Sequence, residues 1–186
     1  YPAAADDAFA AIGWIAEHAI ELGGIPGQLV VAGWSAGANV AAVAAQRARD
    51  ADGPAIVGQL LVTPVTDGSR EWPSMTENGD GFVLTKVLMD WFWDHYDADR
   101  SDPSASPLLA DTLAGLPPAA IFTSEFDPLR DEGAAYADAL SEAGVPTAHH
   151  SCRGHIHTSL TAVDVIISGA PIRAAMAEHV QTFFGG

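Results

Sequence analysis

Short strand-like runs alternating with helical segments constrain this chain more than any other feature of its sequence. Gln28 to Ala32 and Ile56 to Val62 are continuous apolar runs, bounded by turn formers. Runs of this length suit strands buried on both faces, as in a parallel sheet. Ala119 to Ser124 reads as a third strand and Thr147 to Ser151 as a fourth. The segments between them carry helical spacing. Ala5 to Leu22 places Phe9, Ile12, Ile15 or Ala16, and Ile20 on one face, then stops at Gly23-Gly24 before the Pro26-Gly27 turn. A helix from Ala36 to Arg49 follows the first strand. Another, from Pro128 to Ala143, carries Tyr136 and Leu140 and ends at Gly144, a good C-terminal stop. A last helix opens near Pro171 and aligns Ile172, Met176, Val180 and Phe183. The alternation predicts an α/β fold, a mostly parallel sheet flanked by helices.

One stretch breaks the pattern. Residues 68–107 are rich in turn formers and then hold the helical run "LTKVLMDWFWDHYD". Trp91, Phe92, Trp93 and Tyr96 give it more aromatic surface than one amphipathic face needs. It reads either as a core helix or as an insertion lining an apolar pocket. Trp34, Trp72, Phe82, Met89 and Trp93 are the candidate pocket residues.

The bulk numbers narrow the partners. At 186 residues and 48% hydrophobic, the chain is sized for one ordered domain. A net charge of -16 repels nucleic acid and anionic membrane surfaces, so neither is an expected partner. No apolar run spans a bilayer, and no basic-then-apolar leader opens the sequence. Cys152 is the only cysteine, which leaves no internal disulfide.

The turn after the first strand carries the chemistry. Gly33-Trp34-Ser35-Ala36-Gly37 fits G-x-S-x-G, placed between a buried strand and a helix. A strained turn there lifts a serine hydroxyl clear of the sheet, and the helix N-terminus beneath it favours developing negative charge. The N–H of Ala36 is then a candidate oxyanion donor. The competing reading makes Ser35 only the cap of a tight strand-to-helix turn.

A nucleophilic serine needs a base, and the base an orienting acid. Asp127 follows the third strand, with Glu125 a close rival and Asp131 a turn inside the helix. Asp before Pro is also a good helix cap, and one carboxylate cannot fully serve as both cap and acid. The fourth strand leads into "SCRGHIHTSL". His149 and His150 fall within the strand, whereas His157 follows the Gly154 turn. The order serine, acid, histidine at successive strand ends is that of an α/β-hydrolase site. The adjacent pair His149-His150 and the spaced pair His155 and His157 are completed by no Cys pair or HExxH, so no metal or other cofactor is expected.

With these residues in place, the chain resembles the hormone-sensitive-lipase-like (family IV) esterases of the α/β-hydrolase superfamily, in their C-terminal portion. "AGWSAGANVAA" looks like that family's nucleophile elbow and "GHIH" like its histidine loop. "GLPPAAIFTSEFDPLRDEGAAYADALSEAGV" is the most specific match. The resemblance implies Ser35, Asp127 and His157 as nucleophile, acid and base, preferring Asp127 over Glu125. It implies a serine carboxylesterase acting on short- to medium-chain esters of small molecules, in a bacterial cytoplasm. An amidase or peptidase with the same triad, or a non-catalytic small-molecule binder, are the alternatives.

Departures from the family pattern fall around the triad. Trp34 stands where an acidic or small residue is usual, Ala38 replaces a frequent glycine, and Thr158-Ser159-Leu160 replaces Gly-Phe. The family's His-Gly-Gly-Gly oxyanion loop does not occur in these residues. The sequence also opens at Tyr1 on an amphipathic segment, as in mid-domain. The expectation is a chain whose first strands, oxyanion loop and N-terminal cap belong to an upstream part of the same protein. That would leave the first strand at an open sheet edge, with homo-oligomer formation left open.

Overall fold

The computed structural model describes residues 1–185. In chain order the elements are α1 (Ala3–Glu17), β1 (Leu29–Trp34), α2 (Ala36–Asp50), β2 (Ile56–Val62), α3 (Pro73–Glu77), α4 (Lys86–Tyr96), β3 (Ala119–Phe126), α5 (Arg130–Glu142), β4 (Thr147–Ile156) and α6 (Ala170–Phe183). The four strands form one sheet in the order β1-β2-β3-β4, and every neighbouring pair is parallel. The α/β architecture expected from the alternation is therefore the observed one.

Period-two alternation along the central strands builds two cores. Leu61 of β2 and Ala119 and Ile121 of β3 face one side. There they pack with Ala38, Ala42 and Ala45 of α2, and Tyr136 and Leu140 of α5. Val62, Ala120 and Phe122 face the other side and meet Ile172, Met176 and Phe183 of α6. Alanines on α2 let that helix approach the sheet closely, and nine of its residues are buried. A third cluster joins Val65, Leu84, Met89, Trp93, Ala105 and Leu129 beside the C-terminal ends of the strands. It fixes α4 over those ends. No helix among the described residues is long and apolar enough to cross a membrane.

Several boundaries differ from the sequence reading, each for a local reason. α1 ends at Glu17 rather than Leu22. The turns after it, over residues 18–23, leave Ile20 and Leu22 exposed. β1 runs on through Gly33 and Trp34, but of its residues only Val31 is buried. It is the open edge of this four-stranded sheet rather than a strand covered on both faces. α5 begins at Arg130, two residues later than expected, because Asp127 first closes a turn onto Leu129. β3 and β4 both run longer than expected. Their register shifts between Ser124 and Phe126, and pairing resumes at Phe126 and Ile156. That irregularity carries His155 into the strand and delivers His157 at its end.

Candidate active site

Ser35 lies between the end of β1 and the start of α2, with φ 56° and ψ −121°. A positive φ is strained for a residue with a Cβ. The turn is held from both sides. The Ser35 N–H donates to Val62 O at 2.9 Å, and Ser35 O accepts from the N–H groups of Ala38 and Asn39. A side chain at Gly33 would collide with the backbone of Gly37, so the tight crossing of strand and helix requires glycine there. Although Ser35 occupies the cap position of α2, its side chain caps nothing. The hydroxyl turns instead to His157 Nε2, at 2.9 Å. The helix-cap reading of Ser35 is thereby set aside.

His157 is nearly buried, and its Nδ1 lies 2.8 Å from Asp127 Oδ2. Asp127 is wholly buried at the end of β3. Its other oxygen, Oδ1, accepts the N–H of Leu129 at 2.9 Å. The carboxylate thus divides its two oxygens between a turn and an imidazole, and the expected conflict between these duties does not arise. The helix cap proper falls to Leu129.

The rival residues hold other posts. Glu125 Oε2 accepts the N–H of Gly154 at 2.6 Å, bracing the turn ahead of the histidine loop. Asp131 accepts from the backbone N–H of Ser74 and from Arg130. His149 pairs with Thr123, His150 with His179, and His155 with Ser159. Glu132, at the start of α5, is buried beside the site. Burial, reinforced by the carboxylates of Asp67 and Asp127, pushes its carboxyl well above the ordinary range. No group of three or more His, Cys, Asp or Glu suited to a metal ion occurs among the described residues.

A cavity of about 480 Å³ opens beside Ser35. Ala36, Val40, Val65, Leu84, Met89, Phe92 and Trp93 line it, with Asn39, His95 and Tyr96 as polar members. Of the candidate pocket residues, Met89 and Trp93 are in this wall. Trp72 and Phe82 are not. Trp72 lies under the Arg70 guanidinium, and Phe82 stacks on Phe126. Trp34 does not line the cavity either, and lies against His157. The sequence reading missed Asn39, Val40 and Val65. Helical spacing puts Asn39 and Val40 on the turn of α2 above Ser35, and Val65 follows a strand end, so both signals were available.

A hydroxyl, an imidazole and a buried carboxylate in one hydrogen-bonded line can deprotonate the hydroxyl as it attacks a carbonyl. At the start of α2 the N–H of Ala36 has no acceptor among the described residues, so it is free to meet an oxyanion.

Comparison with known proteins agrees with this class of site. The family model described as alpha/beta hydrolase fold matches residues 1–161. The chain belongs to the alpha/beta hydrolase family. Carboxylesterase NlhH of Mycobacterium tuberculosis (strain CDC 1551 / Oshkosh) is 49% identical over 152 residues, covering 78% of this chain and 47% of that protein. Ethyl acetate hydrolase of Pseudomonas putida is 38% identical over 151 residues, covering 78% of this chain and 47% of that protein. Among solved structures, a thermostable esterase from Pseudomonas putida ECU1011 superposes with a TM-score of 0.83 at 45% identity, covering 97% of this chain and 57% of that one. The ester-hydrolase EH1AB1 from the Lake Arreo metagenome superposes at 0.92 with 40% identity, covering 98% and 59%. The chain spans about half the length of the curated relatives it matches.

Proposed function

We propose that this chain carries the nucleophile, base and acid of a serine carboxylesterase. The observation that carries the reading is the continuous line Ser35 Oγ–His157 Nε2, 2.9 Å, and His157 Nδ1–Asp127 Oδ2, 2.8 Å. Ser35 attacks the ester carbonyl while His157 takes its proton. Asp127 holds the ring and stabilises the imidazolium. The N–H of Ala36 supports the oxyanion of the tetrahedral intermediate. His157 returns the proton to the departing alcohol, leaving an acyl group on Ser35. Water, deprotonated by His157, then releases the acid, and the proton goes back to Ser35. The apolar cavity of about 480 Å³ suits short- to medium-chain acyl or alcohol groups. The names of the esterase relatives support an ester substrate.

Ala36 supplies one oxyanion donor, and a missing donor costs roughly 10²–10³ in rate. The reading therefore includes a second donor from residues upstream of Tyr1, in the same protein. In this reading the same residues cover the open edge of β1. Self-association is the other way of covering β1. A cytoplasmic setting belongs to the proposal too.

Matched ester and amide substrates, given to the full-length protein and its Ser35→Ala variant, test the reading. Ester hydrolysis should far exceed amide hydrolysis and vanish in the variant. Faster amide cleavage would make the protein an amidase, and equal rates in the variant would remove Ser35 from the chemistry.

A further inference from the structure

Trp34 is 41% exposed and belongs to none of the three buried clusters. Among the described residues, core packing does not account for a tryptophan at this position. What the side chain touches does. Its indole N–H donates to the backbone carbonyl of His157, with an N···O distance of 3.3 Å. Its ring centroid lies 5.6 Å from that of the imidazole, with the planes inclined at 33°. Among the described residues, no other donor reaches the His157 carbonyl.

The backbone around His157 needs such a tie. His157 sits one residue past the end of β4, where ladder pairing with β3 has stopped at Ile156. The turn that follows is held locally by Ser159, whose N–H and hydroxyl both bond to Ile156 O. Those bonds close the turn on itself and do not anchor it to β1. The ring nitrogens of His157 reach Asp127 and Ser35, but these bonds orient the ring rather than the backbone that carries it. Trp34 supplies the missing connection. It is the residue immediately before Ser35, so the strand that presents the hydroxyl also grips the backbone of the base. The Ser35–His157 separation is then set by a short local link as well as by the longer path through the sheet.

We propose that Trp34 is a positioning residue for His157, setting the approach of the imidazole to the Ser35 hydroxyl. The proposal rests on the reading of Ser35 as nucleophile and His157 as base. Misplacing a base by a fraction of its hydrogen-bond length lowers rate without unfolding the protein. The effect must also pass through His157 and disappear when the imidazole is gone.

A double-mutant cycle on the full-length protein reads this directly. The second-order rate of Ser35 modification by a fluorophosphonate is measured in wild type, Trp34→Phe, His157→Ala and the double variant. Circular dichroism reports folding of each. Trp34→Phe keeps a ring and loses the donor. It should slow labelling about tenfold in the wild-type background and by less than twofold in the His157→Ala background. Trp34→Leu, which also lacks the donor, should follow the same pattern. An equal slowing in both backgrounds would show a general structural role and overturn the proposal, as would no slowing in either variant. If wild type takes no label on Ser35, the nucleophile reading falls and this proposal with it, an outcome distinct from the other two.

Discussion

Asp127 binds His157 with one carboxylate oxygen and its own turn with the other: Oδ2 lies 2.8 Å from His157 Nδ1, and Oδ1 accepts the Leu129 N–H at 2.9 Å. The bond to the turn holds the carboxylate in the orientation that meets the imidazole. In Asp127→Asn the side-chain oxygen can keep the bond to Leu129, which leaves the NH₂ group facing Nδ1. A donor there enforces the tautomer that cannot accept the serine proton. The expected result is a fall of roughly 10⁴ in kcat with the fold retained. Steady-state ester kinetics beside a thermal melt check it.

Gly33 sets the elbow. A Cβ at this position meets the backbone carbonyl of Gly37, which cannot swing aside as a side chain could. Gly33→Ala must therefore part β1 from α2 or shift Ser35. Overpacking of this kind costs about 3 kcal/mol, or roughly 6–12 °C in melting temperature for a domain of this size. Differential scanning calorimetry reads the shift. Ester hydrolysis should fall with it, since the strained turn presents the hydroxyl.

His150 links stability to pH. Its Nε2 lies 2.8 Å from His179 Nε2, and its ring stacks on Phe122 at 4.4 Å. Burial first, and then the neighbouring His179 and His149, hold its pKa below the ordinary 6.5. The unfolded chain therefore binds a proton more readily than the folded one. The stability tied to neutral His150 is complete above pH 6.5 and is lost as pH falls through the lowered folded value. Melting temperature should drop between pH 7.5 and pH 5, and the slope should flatten in His150→Gln. An unchanged slope would remove His150 from the acid response.

Much of the site was legible because strand ends in a parallel sheet gather on one edge. Ser35, Asp127 and His157 follow β1, β3 and β4, so their order in sequence implied their meeting in space. The fold followed from the same alternation. What escaped was side-chain direction in irregular backbone. Trp72 and Phe82 lie in turns with no periodicity to orient them, whereas Met89 and Trp93 share one face of α4, where spacing does orient them. The conflict expected at Asp127 does not arise, because a residue type does not tell which oxygen points where. The lengths of β3 and β4 depended on a register shift that no local pattern encodes. The open edge of β1 followed from the family resemblance and not from its apolar run, which reads like that of a covered strand.

The proposed chemistry passes an acyl group through Ser35. An activated ester is mixed with the full-length protein, the reaction is quenched in acid within the first turnover, and the peptides are mapped by mass spectrometry. One acyl group should appear, on the peptide bearing Ser35, formed with a stoichiometric burst of alcohol and absent from Ser35→Ala. Steady ester hydrolysis with no acyl group on Ser35, or with the group on another residue, would contradict it.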